Sequence, residues 1–323
     1  LIYCGRLAMA LAVAVPLAGA AGFGALSASP AAQEHRRGLA ALAASLAAFA
    51  VAEAALPGLL VALLNPLELP WWVVVVLSLV VWPAESAWWK LICWALGKAY
   101  GPLPFRAKNP GVKGHENLDW IDVLYTLTNN IVFFVPLLSQ MGRLALRPLP
   151  GTSVTWRLED IGLCNTLLAV PLLLVITDLY YYALHRLLHW RVLYPYIHKH
   201  HHRQVVPWRG FEDAVNEHPL ELILGMGTLW GAMYTLARLT TLHAAGMLGF
   251  VLVLGLLSVV NHTNMDIRLN FVIFEYSVRV HETHHRFPAY NMAQYCTVWD
   301  KLLGTYRDYD ELPGQPASKV AQD

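Results

Sequence analysis

Long uncharged stretches alternate along this chain with shorter polar ones. Residues 7–26 carry no charge, and 39–64 are interrupted only by Glu53, Pro57 and Gly58. Residues 71–82 are apolar apart from Ser78, and 121–138 admit Asp122, Asn129 and Asn130. Residues 161–176 lead into Thr177, Asp178 and the aromatic trio Tyr180 to Tyr182, and 222–236 and 244–260 form a closely spaced pair. A helix needs about 20 apolar residues to cross a hydrocarbon core of roughly 30 Å. The pattern predicts an all-α, polytopic membrane protein with about four to seven spans. Residues 1–105 read as hydrophobic membrane segments, 106–310 as the chemical domain, and the Pro/Gly/Gln/Ser-rich 311–323 as a fraying tail. Arg6 before an Ala/Val/Leu run, with Ala28 and Ser29 after it, reads either as a signal or transit remnant or as a first membrane anchor.

Composition narrows the class. Of 323 residues, 14% are charged and 56% apolar, with twelve Trp and fourteen Tyr; a soluble domain averages about 25% charged. A disordered chain, a coiled coil and a basic nucleic-acid module are excluded, and a net charge of +1 predicts no acidic partner. Cys4, Cys93, Cys164 and Cys296 show no CxxC and no framework spacing, so they make no disulfide or thiolate-metal case.

Loop charges set an expected orientation. If 121–138 and 161–182 are antiparallel neighbours, residues 106–118, 186–209 and 262–323 share one side, with thirteen Lys and Arg from Arg106 to Arg307. Arg143, Arg147, Arg157 and Arg238 fall on the other. Positive loops stay cytoplasmic, which places the first side in the cytosol.

That side also holds the chemistry: residues 178–285 contain twelve of the fourteen histidines. His185 and His189, spaced i,i+4, lie on one helix face within reach of one metal. Asp178, two turns earlier on that face, is placed to orient a ligand's second nitrogen. His198, His201 and His202 follow, with His200 as a spacer. In His281-Glu-Thr-His284-His285 the first and last imidazoles lie one turn apart and the middle one is offset by about 100°, an arrangement able to serve two adjacent metals. Near neutral pH imidazole is mostly uncharged and suits Fe, Zn or Cu. His218, just before a membrane run, and His262, just after one, reach the same edge as further candidate ligands. His35, His115 and His243 lack partners in the pattern and read as structural.

Through HRLLH, HKHHH, HPLE, NHTN, HETHH and the stretch from Trp299 to Thr305, the sequence resembles the sterol desaturase/fatty acid hydroxylase superfamily of integral membrane oxygenases. The resemblance covers roughly residues 120–307. It implies a small helical membrane domain under a cytosolic helical cap whose histidines hold a di-metal site, usually two Fe ions, with Zn able to take their place in a purified sample. It also implies O2 as co-substrate and hydroxylation or desaturation of a sterol, fatty acyl or sphingoid chain. Carried over motif by motif, His185, His189, His198, His201, His202, His281, His284 and His285 would be ligands, with His262 a ninth. Where some relatives have an HxxxH pair around His262, this chain has Ser258 and Asp266, leaving His218 or a water to complete the second site. No GxGxxG loop or haem-binding His-Pro-Gly-Gly motif is evident, so electrons are expected from a cytochrome b5-type donor and its reductase. A eukaryotic chain of this kind is expected in the endoplasmic reticulum membrane. Asn261-His-Thr263 is a formal glycosylation acceptor, expected to stay unmodified on the cytosolic side.

Two rival readings remain. HETHH also fits HExxH, with Glu282 as the base of an intramembrane zinc metalloprotease. The histidines could instead belong to a metal transporter, although transporters place ligands at mid-membrane and these flank the runs at their ends.

Overall fold

A computed structural model describes residues 30–56, 68–108, 115, 117–130, 135–270 and 274–309. Its principal helices are α1 (Pro30–Ala55), α2 (Trp71–Leu96), α3 (Trp120–Leu127), α4 (Val135–Leu146), α5 (Ala169–Leu188), α6 (Pro219–Leu239), α7 (Ala244–Asn261), α8 (Val278–Arg286) and α9 (Thr297–Leu303). Four helical stretches are long and apolar enough to cross a membrane: Trp72–Leu96, Leu163–Leu188, Pro219–Leu239 and Ala244–Asn261. The second includes a turn of π-helix, Leu163–Leu167, ahead of α5. On α2 the apolar side chains Trp72, Val76, Val80, Trp88 and Leu91 are exposed, as a lipid-facing helix requires.

Helices α5, α6 and α7 make the core. Leu173, Ala232, Met233 and Phe250 are fully buried between them, and Tyr180 and Thr235 share a 2.8 Å hydroxyl hydrogen bond across α5 and α6. Gly246 lets α7 start against the π turn, because a Cβ there would come within 2.9 Å of the Asn165 carbonyl oxygen. The pair read at 222–236 and 244–260 is a helical hairpin whose short link, β2 (Thr241–His243), pairs in parallel with β1 (Ser153–Thr155). A second ladder joins β3 (Arg268–Asn270) to β4 (Glu275–Ser277) and delivers the chain into α8. These two small sheets are the only departure from an all-α fold among the described residues.

Two of the apolar runs are described only in part. Within 121–138, α3 runs to Leu127 and α4 begins at Val135, with 131–134 outside the described residues. The Asn129 amide donates to the carbonyls of Val215 and Glu217 and so ties this run to the segment leading into α6, while Asn130 donates to the Thr126 carbonyl one turn back. The run 39–64 is helical from Pro30 to Ala55, while residues 1–29, with the possible signal segment, and 57–67 lie outside the described residues.

The loops gather at two ends. Arg203 donates to Asp119 and Asp122 at one end. At the other, His243 donates to the Arg157 carbonyl, and Arg238 lies 3.5 Å from the Pro150 carbonyl.

Candidate metal centre

At the first end, five imidazoles form one group, His185, His189, His198, His202 and His284, and four form a second, His201, His262, His281 and His285. Within each group the candidate ligand nitrogens all lie within 4.8 Å of one another. Four pieces of chain supply them. The last turn of α5 gives His185, and its C-cap is His189. The turn-rich segment after it gives His198, His201 and His202; the C-cap of α7 is His262; and α8 gives His281, His284 and His285. Helix α8 divides its own histidines as its pitch requires: His281 and His285, one turn apart, enter the second group, while His284 turns into the first.

Nitrogen faces nitrogen throughout. In the first group the Nε2 atoms of His185 and His198 are 2.9 Å apart, those of His198 and His202 3.0 Å, those of His202 and His284 3.1 Å, and those of His189 and His284 3.2 Å. In the second, His262 Nε2 lies 3.3 Å from His201 and 3.2 Å from His281, and His281 lies 3.1 Å from His285. Two ligands at right angles on metal–nitrogen bonds of about 2.1 Å would stand about 3 Å apart.

The outer nitrogens identify the tautomers. His185 Nδ1 is 2.7 Å from the Met292 carbonyl, His284 Nδ1 is 2.7 Å from that of Tyr290, and His262 Nδ1 is 2.7 Å from that of Ser258. A carbonyl only accepts, so these Nδ1 atoms carry the protons. Their Nε2 atoms are then bare lone pairs, aimed at other imidazole nitrogens. His198 Nδ1 meets the buried Glu221 carboxylate at 2.5 Å. Burial, reinforced by the neighbouring rings, pushes the pKa of His198, His201, His202, His281 and His285 well below the usual value. It lowers His189 and His262 too, and brings His284 to about 4 against the opposing Tyr290 carbonyl. Neutral imidazoles whose lone pairs converge in a buried space repel one another unless a cation lies between them. The donor set therefore fits a metal ion in each group.

Two sequence-predicted residues, His218 and Asp178, stand apart from these groups. His218 is no ligand in this arrangement: it caps α6, its Nδ1 accepting from the Leu220 N–H while its Nε2 donates to the Gly38 carbonyl. Both ring nitrogens are thus used. Asp178 does not orient an imidazole. Its carboxylate accepts the N–H groups of Gln294, Tyr295 and Cys296, clamping the loop whose Met292 carbonyl holds His185. Asp266, near His262 in sequence, pairs with Arg279 at 2.6 Å.

Glu221 went unread as an orienting group, although it closes the His218-Pro-Leu-Glu221 motif on the first turn of α6; a carboxylate placed there had to lie at the histidine end. The orienting carbonyls leave no mark in side-chain identity. The peptidase reading is not favoured, because Glu282 belongs to neither histidine group and the charged groups beside it are Arg286, Arg106 and Arg279. The candidate glycosylation site is closed: Asn261 is buried and its amide donates to the Gln294 carbonyl at 2.8 Å.

A third convergence, His115, Asp119 and Asp122, differs in kind. Arg203 binds Asp122 at 3.1 Å and Asp119 at 2.7 Å, and Asp122 also accepts from Asn216 and pairs with His115. His200, the spacer of its motif, lies 3.1 Å from the same carboxylate. Its negative charge is already met by cations of the chain.

Residues 170–305 match the fatty acid hydroxylase family model, a segment that contains all nine grouped histidines. Methylsterol monooxygenase 1 of Rattus norvegicus is 38% identical over 144 residues, 42% of this chain and 47% of the relative. A Delta(7)-sterol 5(6)-desaturase of Leptosphaeria maculans is 29% identical over 157 residues, covering 48% and 42%. A very-long-chain aldehyde decarbonylase of Oryza sativa subsp. japonica is 30% identical over 144 residues, covering 42% and 54%. The chain spans about half the length of the curated relatives it matches. No solved structure matches it significantly. Residues 170–305, with their order of histidine motifs and the helices that carry them, are thus the part of the chain that is similar to the fatty acid hydroxylase family.

Proposed function

We propose that this protein is an O2-dependent oxidoreductase of membrane lipids, a hydroxylase or desaturase acting on a sterol, fatty acyl or sphingoid chain through two irons. One observation carries the reading: nine buried or half-buried imidazoles, with lone pairs facing inward, meet in two adjoining groups at the end of four apolar helices. Iron held there supplies the redox chemistry that breaks an unactivated C–H bond, which acid–base side chains cannot do.

The chain's own part is to hold, orient and exclude. His185, His189, His198, His202 and His284 would hold one ion, and His201, His262, His281 and His285 the other. Glu221 and the carbonyls of Met292, Tyr290 and Ser258 fix the ring orientations. His189 and His262 cap the ends of two apolar helices, which supports access of a lipid chain from the bilayer. That position also speaks against a transporter, whose ligands lie at mid-membrane. The Lys and Arg excess orients the histidine end toward the cytosol. Arg186, Arg191 and Lys199, beside the site in sequence, suit docking of an electron donor of the cytochrome b5 type, itself served by a reductase.

The test is metal analysis of the purified full chain, paired with lipidomics of cells with and without the gene. The expected result is iron in the folded protein and an oxidised lipid that forms only with the gene and O2. A folded protein that binds no transition metal would overturn the reading. So would peptide cleavage lost in Glu282→Gln, which would restore the peptidase.

A further inference from the structure

At the end of the helices opposite the histidines, a groove of about 260 Å³ opens between α4 and α6. Its walls include Leu144, Leu149, Trp230 and Tyr234, and Arg143 and Arg147 line it as well. Arg143, in the last turn of α4, and Arg147, just past its end with its N–H on the Arg143 carbonyl, are four residues apart, a spacing at which like charges repel. No ion pair reaches either guanidinium among the described residues. A third cation, Arg238, stacks over Tyr234 with its guanidinium 6.0 Å from the ring centre. No carboxylate lines the groove among the described residues.

A second, independent feature is Trp230. Its indole N–H is shielded from solvent yet has no hydrogen-bond partner among the described residues, a cost the fold bears unless something accepts from it. The groove thus offers unpaired positive charge, an unused donor and an apolar wall at the end of a membrane helix. Basic pockets between transmembrane helices bind anionic lipid head groups.

We propose that this groove binds one anionic amphiphile, its carboxylate or phosphate head on Arg143 and Arg147 and its acyl chain along Leu144, Trp230 and Tyr234. Trp230 donates its N–H to an oxygen of the head or its ester linkage. The site is separate from the histidine groups and needs no metal.

Native mass spectrometry of the purified full chain tests this, with phosphatidylglycerol, oleate, phosphatidylcholine and inorganic phosphate offered separately. Retention of one phosphatidylglycerol or one oleate, over phosphatidylcholine, supports the proposal and tells a phospholipid from a free fatty acid. Arg143→Gln with Arg147→Gln should weaken that binding by about 30-fold, at roughly a Debye-screened surface charge's worth per arginine. Equal retention of phosphatidylcholine, full binding by the double variant, or binding of inorganic phosphate as tight as the lipid would overturn it. Should the double variant fail to fold, bromine-labelled oleate decides: quenching of tryptophan emission must be smaller in Trp230→Phe than in the unaltered chain. Equal quenching in the two would sink the site.

Discussion

The segment from His198 to Arg203 sends its side chains to two kinds of destination. His198, His201 and His202 point at other imidazoles, whereas His200 and Arg203 point at Asp122. Both regions are buried, rich in histidine and built from distant parts of the chain. Around Asp122 each negative charge meets a guanidinium, an amide or an imidazole of the protein itself, so the network is complete. Around the nine imidazoles the donors face one another and nothing in the chain answers them. A closed network stabilises a fold, while an open one of uniform donors prepares a place for a cation.

The sharpest way to break this comparison is to remove a donor. His201→Ala or His284→Ala should abolish lipid oxidation and empty the group concerned, with the fold retained; elemental analysis and circular dichroism check this, and unchanged metal content would refute the assignment. Glu221→Gln should leave His198 in place but weaken its orientation, lowering metal affinity about 10- to 100-fold in a chelator competition. Asp122→Asn attacks the closed network instead. Leaving Arg203 half-paired should cost about 3–5 kcal/mol of stability, read as a lower unfolding temperature that added iron does not restore. Chelating the metal from the unaltered protein should remove roughly 4 kcal/mol if the ion is normally present at about a thousand times its dissociation constant, and here added iron should restore it. The smallest effect is expected for Lys301→Ala, which breaks an exposed pair with Glu275 at 2.9 Å and should cost about 1 kcal/mol or less without touching metal or turnover.

The periodicity of α5 and α8 was readable because an imidazole's direction on a helix follows from residue spacing alone. His185 with His189, and His281 with His285, needed no knowledge of the rest of the fold. His218 and Asp178 show where such reading stops. Both lie at the right end and in the right motifs, but side-chain direction at a helix cap is set by the nearest free N–H, here that of Leu220. Asp178 was claimed by a loop 116 residues away in the chain, which spacing along α5 cannot announce. Asn129 is a similar case, since its amide is held by carbonyls near the start of α6, which the apolar run around it cannot announce. The Asp122 network draws on Glu34, His35 and Asp119, which lie before the family segment begins, so the family motifs say nothing of it.

Helix α8 contributes to both histidine groups from only nine residues. It therefore acts as a rigid axle: the two centres share one rotation and one axial position, and neither can tighten or slacken alone. Any strain on α8, whether from a nearby substitution or from a lipid pressing on its hairpin, would reach both histidine groups in the same instant.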